Sequence, residues 1–179
     1  LYGAFVDNNI LAGYDGALVD GIYTAGFSDS NLQRLFGRTF GYYLHLHGSP
    51  LFYDDNGIVK KMQRSDLSMF TPNESEHIVL THVLHKRSVI ASSSILMTYW
   101  NYLCCSLSES ESIIVFGYSG CDIHLNEIIA LHGKNKNITV VEWDGAGAPS
   151  IRSSYWSGLF KSSSINLVQM PNILDFRAW

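Results

Sequence analysis

The second half of the chain alternates apolar strand patterns with helical patterns, and this alternation constrains the fold more than any other feature. The runs "SIIVFG" at 112–117 and "NITVVEW" at 137–143 are typical of strands buried on both faces. Between them, "DIHLNEIIALHG" begins with the capping residue Asp122 and ends at Gly133, which predicts a helix. "PSIRSSYWSGLF" places Pro149 at the first position of a second helix, and "INLV" predicts a last strand. This order predicts an α/β fold with a Rossmann-like, doubly wound, mostly parallel sheet.

The first half of the chain has a less regular pattern. Residues 1–41 are rich in glycine and aspartate, which predicts an irregular segment of loops and short strands, whereas residues 42–179 carry the βα units. "YDDNG" predicts a tight turn with a returning strand, and "HIVLTHVL" at 77–84 predicts another strand. The apolar stripe in "SSSILMTYWNYLCCSL" predicts a mostly buried helix. No repeat or linker interrupts the chain, so we expect one domain over residues 1–179.

Composition and charge exclude several classes of protein. Hydrophobic residues make up 46% of the 179 residues and charged residues 16%, as in globular proteins. The net charge of -4 gives no basic surface for nucleic acid. Three cysteines without a Cys-x-x-Cys pair argue against a zinc or disulfide framework and favour a reducing, cytoplasmic compartment. Serines and Asn101 interrupt the longest apolar stretch, so we expect no membrane span.

The loop in "VFGYSGCD" is the first candidate binding site. A buried strand ends at Gly117, and a helix begins after Asp122, so backbone N–H groups and the positive end of a helix dipole meet at the carboxyl edge of the sheet. Gly117 and Gly120 permit close approach of a ligand to the backbone, and Ser119 adds a hydroxyl donor. The alternative is an ordinary strand–helix turn with an aspartate cap.

Glu142 is a second candidate, because it lies near the end of the next predicted strand, in "VVEWDGAG". Acidic residues at this position accept hydrogen bonds from ribose hydroxyls in dinucleotide-binding folds. The alternative is a solvated carboxylate at a strand end.

The sequence "YYLHLHG" contains two histidines in an alternating, strand-like run. On a strand, Tyr43, His45 and His47 share one face, so both histidines would reach one metal ion. Further ligands would come from separate segments of the chain, namely Asp122, His124, His82 or His85. The alternatives are a catalytic base with a neighbour and two hydrogen-bonded core histidines.

Taken in order, these motifs resemble those of the sirtuin-like superfamily. Sirtuins carry their catalytic histidine in a His-Gly-Ser/Thr sequence at a strand end, matched here by His47-Gly48-Ser49. Sirtuin-like proteins that are not deacylases show "LHGS", a long apolar helix, and "FGYS-x-x-D" followed by a helix. The corresponding segments here are "LHLHGS", "ILMTYWNYL" and "IIVFGYSGCDIHLNEII". The four-cysteine zinc ribbon of the deacylases has no counterpart between these motifs.

The resemblance implies binding of NAD and its hydrolysis to nicotinamide and ADP-ribose, as in bacterial anti-phage defence. It implies that His47 is a general base towards a ribose hydroxyl or the attacking water, with no metal. The cofactor-binding residues that it implies are Gly48, Ser49, Gly117, Tyr118, Ser119, Asp122 and Glu142. The nucleotide loop and the Asn-Tyr-Asp segment of the family are not found in residues 1–41, so we expect the sheet to be incomplete at its N-terminus.

Two other functions stay open at this point. One is a catalytically inactive nucleotide-sensing or interaction module on the same fold. The other is a metal-dependent hydrolase that uses His45 and His47. In each NAD-binding case the expected partner is NAD or a related nucleotide, with a homo-oligomer or further domains of a longer chain left open.

Overall fold

The computed structural model describes residues 5, 7–11, 16–62 and 86–178. The chain divides into two compact units, Leu1–Asn101 and Tyr102–Trp179. The single domain expected from the sequence stays a prediction. The strand expected at 77–84 lies outside the described residues.

Short strands form most of the first unit. They are β1 (Leu18–Val19), β2 (Ile22–Tyr23), β3 (Gly26–Phe27), β4 (Gly41–Tyr42), β5 (Phe52–Asp55) and β6 (Ile58–Lys61). β1 pairs with β4 in parallel, whereas β2–β3 and β5–β6 are antiparallel pairs. The hairpin predicted from "YDDNG" is confirmed, since Asn56 and Gly57 connect β5 to β6 with φ angles of 54° and 85°. Both residues are left-handed, as a two-residue turn between twisted strands requires.

The apolar stripe after residue 92 forms a helix, as the sequence predicts. Helix α1 (Lys86–Ser92) is followed by α2 (Ser94–Glu109), whose C-terminal part belongs to the second unit. The side chains of α2 that are buried in the first unit are those of Ile95, Leu96, Tyr99 and Trp100. Tyr99 also donates a hydrogen bond of 2.6 Å to the carbonyl of Asp20. None of the helices in the described part of the chain is long and apolar enough to cross a membrane.

The strand predicted from "YYLHLHG" is wrong beyond its first residue, because β4 ends at Tyr42. The amide of Leu46 donates to the carbonyl of Leu44, and that of Gly48 donates to the carbonyl of His45, at 3.0 and 2.9 Å. These local bonds, with a φ of 74° at Gly48, turn the chain out of the extended conformation. Period-two alternation therefore does not hold here, and the two histidines do not share a strand face.

The second unit has the predicted alternation of strands and helices. Its elements are β7 (Ser112–Phe116), α3 (Ile123–His132), β8 (Asn137–Trp143), α4 (Pro149–Phe160) and β9 (Ile165–Met170). The three strands form a parallel sheet in the order β7-β8-β9, and α3 packs against α4. The predicted cap is confirmed, since Asp122 accepts a hydrogen bond of 3.1 Å from the amide of Leu125. Pro149 lies in the first turn of α4, as predicted.

One face of this sheet forms the core of the second unit. The register aligns Ile113 with Ile138 and Val115 with Val140, so these side chains share a face. The buried residues of the cluster are Leu107, Ile113, Val115, Ile129, Ile138, Val140, Trp156 and Phe160. Trp156 is fully buried and stacks on Phe160 with 5.4 Å between ring centroids. The core thus fixes the position of α4 against β8.

Two glycine substitutions test the backbone assignments. Gly57→Ala should destabilise the protein by about 1–2 kcal/mol, because the left-handed conformation strains a residue with a β-carbon. Gly158→Ala should stabilise it by about 0.5–1 kcal/mol, because alanine is favoured over glycine inside a helix. A β-carbon meets no atom within 4 Å at either position, so packing does not obscure the comparison. Urea unfolding of both variants measures the effects, and a stabilising Gly57→Ala would contradict the turn assignment.

Candidate functional site

His47 lies in a tight turn of the first unit rather than on a strand. Gly48 follows it with a positive φ, and the Gly48 amide closes the turn onto the carbonyl of His45. Ser49 is buried, with 5% of its surface exposed, and its Oγ accepts a hydrogen bond of 3.2 Å from the amide of Leu51. Ser49 therefore stabilises the chain after the turn, while the side chain of His47 is exposed.

Two residues from separate segments, Lys86 and Trp100, hold the turn that carries His47. The Nζ of Lys86, at the start of α1, lies 2.8 Å from Nε2 of His47. The same Nζ lies 5.1 Å from the ring centroid of Trp100, a cation–π contact. The indole Nε1 of Trp100 donates a hydrogen bond of 3.0 Å to the carbonyl of Leu46. Helices α1 and α2 thus fix both the ring and the backbone of the histidine turn.

His45 is a packed residue. Its ring makes edge contacts with Tyr43 and Phe52, with centroid distances of 4.8 and 5.1 Å. Burial lowers the pKa of His45 to about 4, against the opposing effect of the Asp20 carboxylate, so the imidazole is neutral at physiological pH. This environment agrees with the hypothesis of a core histidine.

The metal hypothesis loses its geometric premise, because it required His45 and His47 on one strand face. Two of its other ligands, His82 and His85, lie outside the described residues. Asp122 and His124 lie in the second unit, at the start of α3.

In the second unit, the loop 117–122 follows β7 at the carboxyl edge of the parallel sheet. The amide of Gly117 donates to the carbonyl of Val141 at 3.1 Å, which extends the pairing with β8. Gly117 and Gly120 have φ angles of 60° and 80°. A β-carbon on Gly120 would lie 2.4 Å from the hydroxyl oxygen of Tyr155. The space beside the Gly120 backbone, where we expected a ligand, is therefore filled by Tyr155 of α4. Gly117 is exposed.

The hydroxyl of Tyr118 holds this loop from inside. It accepts a hydrogen bond of 3.0 Å from the amide of Asp122 and lies 2.8 Å from Oδ1 of Asn126, to which it donates. Asn126 in turn donates to the carbonyl of Gly120 at 2.7 Å. Burial raises the pKa of Tyr118 to about 12, so the phenol keeps its proton. The sequence predicted Tyr118 as a binding residue, and the structure gives its hydroxyl a role in loop geometry.

The loop leaves hydrogen-bond donors towards solvent. Ser119 and Ile123 are exposed, and their backbone amides have no partner in the described part of the chain. The Oγ of Ser119 accepts from the amide of Cys121 at 3.3 Å, which leaves the hydroxyl hydrogen available. Asp122 uses Oδ1 as the helix cap, and its contact with a ligand stays a prediction.

Glu142 is buried, with 5% of its surface exposed, so the alternative of a solvated carboxylate is wrong. Arg152 donates from Nε to both carboxylate oxygens at 3.1 Å and from its terminal nitrogen to Oε2 at 2.7 Å. Trp156 donates to Oε2 at 2.8 Å, and Gln169 donates to Oε1 at 2.9 Å. A ribose would have to compete with these donors, and its contact with Glu142 stays a prediction.

The charge of Glu142 is stabilised by its partners. Burial acts to raise the pKa of this carboxyl, but the hydrogen bonds from Arg152, Trp156 and Gln169 outweigh burial and hold the pKa below its ordinary value. The pKa of Arg152 is raised by its hydrogen bonds to Glu142. Both groups are therefore charged at neutral pH.

Helix α4 connects Glu142 to the β7–α3 loop. Trp156 donates to Glu142 through its indole nitrogen, and its ring lies 6.2 Å from the ring of Tyr118. The adjacent Tyr155 donates a hydrogen bond of 3.4 Å to the carbonyl of Ser119. Helix α4 thus contacts both the loop after β7 and Glu142 near the end of β8. The structure therefore brings Glu142 and the residues 117–122 together on this helix.

An exposed aromatic residue ends β8. Trp143 has 60% of its surface exposed, and its indole lies over the backbone of Gly145. The neighbouring carboxylate of Asp144 is also exposed. Trp143 and Asp144 directly follow Glu142 and present an aromatic and a polar surface to solvent.

Several of these residues escaped the sequence analysis. Lys86 lies in the charged pair of "HKR", which reads as a surface feature, yet only 7% of its surface is exposed. Arg152 on α4 and Gln169 on the neighbouring strand β9 both contact Glu142, and no local pattern signals these contacts. The single usable signal was the polar Gln169 within an apolar strand pattern.

Comparisons with known proteins give no family for this chain, since neither a family model nor a curated protein matches it.

Substitution of Glu142 tests the buried network. Glu142→Gln should lower the free energy of unfolding by about 3 kcal/mol at neutral pH, because it leaves the half-buried Arg152 without its counter-charge. The folded-state pKa is depressed, so the contribution of Glu142 is full above about pH 4.3 and is lost as the pH falls through the lower folded-state value.

Urea unfolding at several pH values measures this effect, with Asp144→Asn as the matched control. The exposed Asp144 should change the free energy of unfolding by less than about 0.5 kcal/mol at neutral pH. A difference between wild type and Glu142→Gln that stays constant down to pH 2, or is absent at neutral pH, would contradict the network.

Proposed function

We propose that this chain binds NAD and hydrolyses it to nicotinamide and ADP-ribose, on a Rossmann-like, doubly wound sheet of the sirtuin-like type. The observation that carries the proposal is the β7–α3 loop at the carboxyl edge of a parallel sheet. Its amides at Ser119 and Ile123 have no partner among the residues that the structure describes. Ligands of open α/β sheets bind at this edge. The sequence resemblance of the histidine turn adds the hydrolytic chemistry.

The loop suits a nucleotide diphosphate for electrostatic reasons. Amide N–H groups at the start of α3 and the positive end of its dipole favour an anion. The exposed Gly117 has no β-carbon to keep a phosphate from the backbone, and the hydroxyl of Ser119 can donate to it. The carboxylate of Asp122 caps the helix, so we assign it to loop geometry rather than to phosphate contact.

Under this proposal His47 supplies the base. A water molecule attacks the ribose carbon as the bond to nicotinamide breaks, and nicotinamide leaves with the bonding electron pair. The neutral imidazole of His47 accepts the proton that the water loses. Gly48 and Ser49 set the turn that presents this side chain, and Glu142 positions the loop after β8 through Arg152 and Gln169.

The sequence resemblance also suggests the setting. Zinc-ribbon-free sirtuin-like domains are often NAD hydrolases in bacterial anti-phage defence. We propose this cytoplasmic role for the chain.

A second candidate is a module that binds the nucleotide without cleaving it. One observation favours it: the Nζ of Lys86 lies 2.8 Å from Nε2 of His47, the atom that a general base would use. In such a module the histidine turn would be a structural element and binding alone would carry the function.

Release of nicotinamide from NAD tests the first candidate. His47→Ala should lower the rate by about 10²–10⁴-fold, the range typical for loss of a general base. His132→Ala is the matched control, because His132 is partly exposed and bonds to the hydroxyl of Ser108 at 2.9 Å. Its rate should equal that of the wild type.

Calorimetric titration with NAD separates the two candidates. Saturable binding without nicotinamide release would favour the binding module, and unchanged release in His47→Ala would contradict the role of His47. Absence of both binding and release would contradict the proposed function.

A further inference from the structure

Lys86 is a buried cation next to the histidine turn. Only 7% of its surface is exposed, and lysines at such positions are rare unless they are paired. Its Nζ lies over the ring of Trp100, with 5.1 Å to the centroid, and 2.8 Å from Nε2 of His47. The aromatic face stabilises the ammonium charge, and the imidazole accepts a hydrogen bond from one of its N–H groups.

The contact between Lys86 and His47 selects one tautomer of the imidazole. An ammonium group has three donors and no acceptor, so Nε2 of His47 must supply a lone pair. A ring that accepts at Nε2 and is neutral carries its hydrogen on Nδ1. The hydrogen bond made by one ring nitrogen thus sets the protonation of the other.

Trp100 fixes the direction of this contact. Its indole nitrogen donates to the carbonyl of Leu46, directly before His47, while its ring face holds the Lys86 ammonium. The turn bond from Gly48 to His45 fixes the backbone on the other side. The Trp100 side chain of α2 therefore holds the Lys86 ammonium and the backbone before His47, and the turn bond from Gly48 holds the backbone after it.

We infer that Lys86 is a positioning residue for His47, which holds the imidazole as the neutral tautomer with its hydrogen on Nδ1 and its lone pair on Nε2. This inference adds a positioning residue to the proposed function. Only the role of the Lys86–His47 contact in catalysis rests on that proposed function. In hydrolysis the Lys86–Nε2 hydrogen bond breaks first, and the ammonium keeps its three protons. The freed lone pair on Nε2 then takes the proton of the attacking water.

Nitrogen-15 NMR of the imidazole at neutral pH tests this inference in the labelled protein. In the wild type we expect Nε2 of His47 at the position of an unprotonated acceptor and Nδ1 at that of a protonated nitrogen. In Lys86→Met the ring should lose this bias, so the protonated fraction of Nε2 rises. Lys86→Arg keeps a donor and should restore the wild-type pattern, whereas Lys134→Met, which removes an exposed charge, should not alter it.

The wild-type spectrum decides the point even if a variant fails to fold. Protonation of Nε2 in the wild type would overturn the inference, as would a His47 pattern that stays unchanged in folded Lys86→Met. Because the spectrum is read without NAD, the expected pattern in a protein that does not cleave NAD would reject the proposed function and leave the position of Lys86 intact.

Discussion

Glu142, the next-to-last residue of β8, is a carboxylate held among N–H donors from α4 and β9. Burial of an ionised carboxylate costs several kcal/mol unless charge and hydrogen bonds compensate for it. Arg152, Trp156 and Gln169 provide that compensation, and each contact requires a particular position of its helix or strand. The Arg152 guanidinium also packs over the rings of Tyr155 and Trp156, at 4.5 and 5.1 Å. The carboxylate therefore restricts α4 to one position at the carboxyl edge of the sheet.

The β7–α3 loop depends on that position. Tyr155 fills the space that a β-carbon on Gly120 would occupy, and Trp156 packs beside Tyr118, whose hydroxyl holds the amide of Asp122. These contacts fix the backbone of the loop before any ligand arrives. The amides of Ser119 and Ile123 are thus oriented by the folding of the chain, which lowers the entropic cost of ordering them on binding.

The parts of the fold that sequence reasoning predicts are those with local causes. The β7-α3-β8-α4-β9 order, the Asp122 cap and the Asn56-Gly57 turn each follow from hydrophobic pattern or backbone preference over a few residues. The histidine segment was mispredicted, because the bonds that turn it at Leu46 and Gly48 compete with the alternation that the residue types suggest.

The partners of Glu142 in the second unit and of His47 in the first unit are distant from them in sequence. Glu142 meets Gln169 on the neighbouring strand, and His47 meets Lys86 at the start of α1. In the sequence, the pattern around Glu142 fits a solvated carboxylate and a ligand-binding one equally well. Lys86 next to Arg87 is typical of a surface residue. Only the register of β8 with β9 and the packing of α1 distinguish these cases.

We propose that the β7–α3 loop binds the diphosphate of a nucleotide. Titration of the labelled protein with NAD, read through the backbone amide resonances, tests it most directly. We expect saturable shifts at Ser119 and Ile123, reproduced by ADP, which carries the diphosphate without nicotinamide. Saturable shifts that leave residues 117–123 unaffected, or no shifts with either nucleotide, would contradict it.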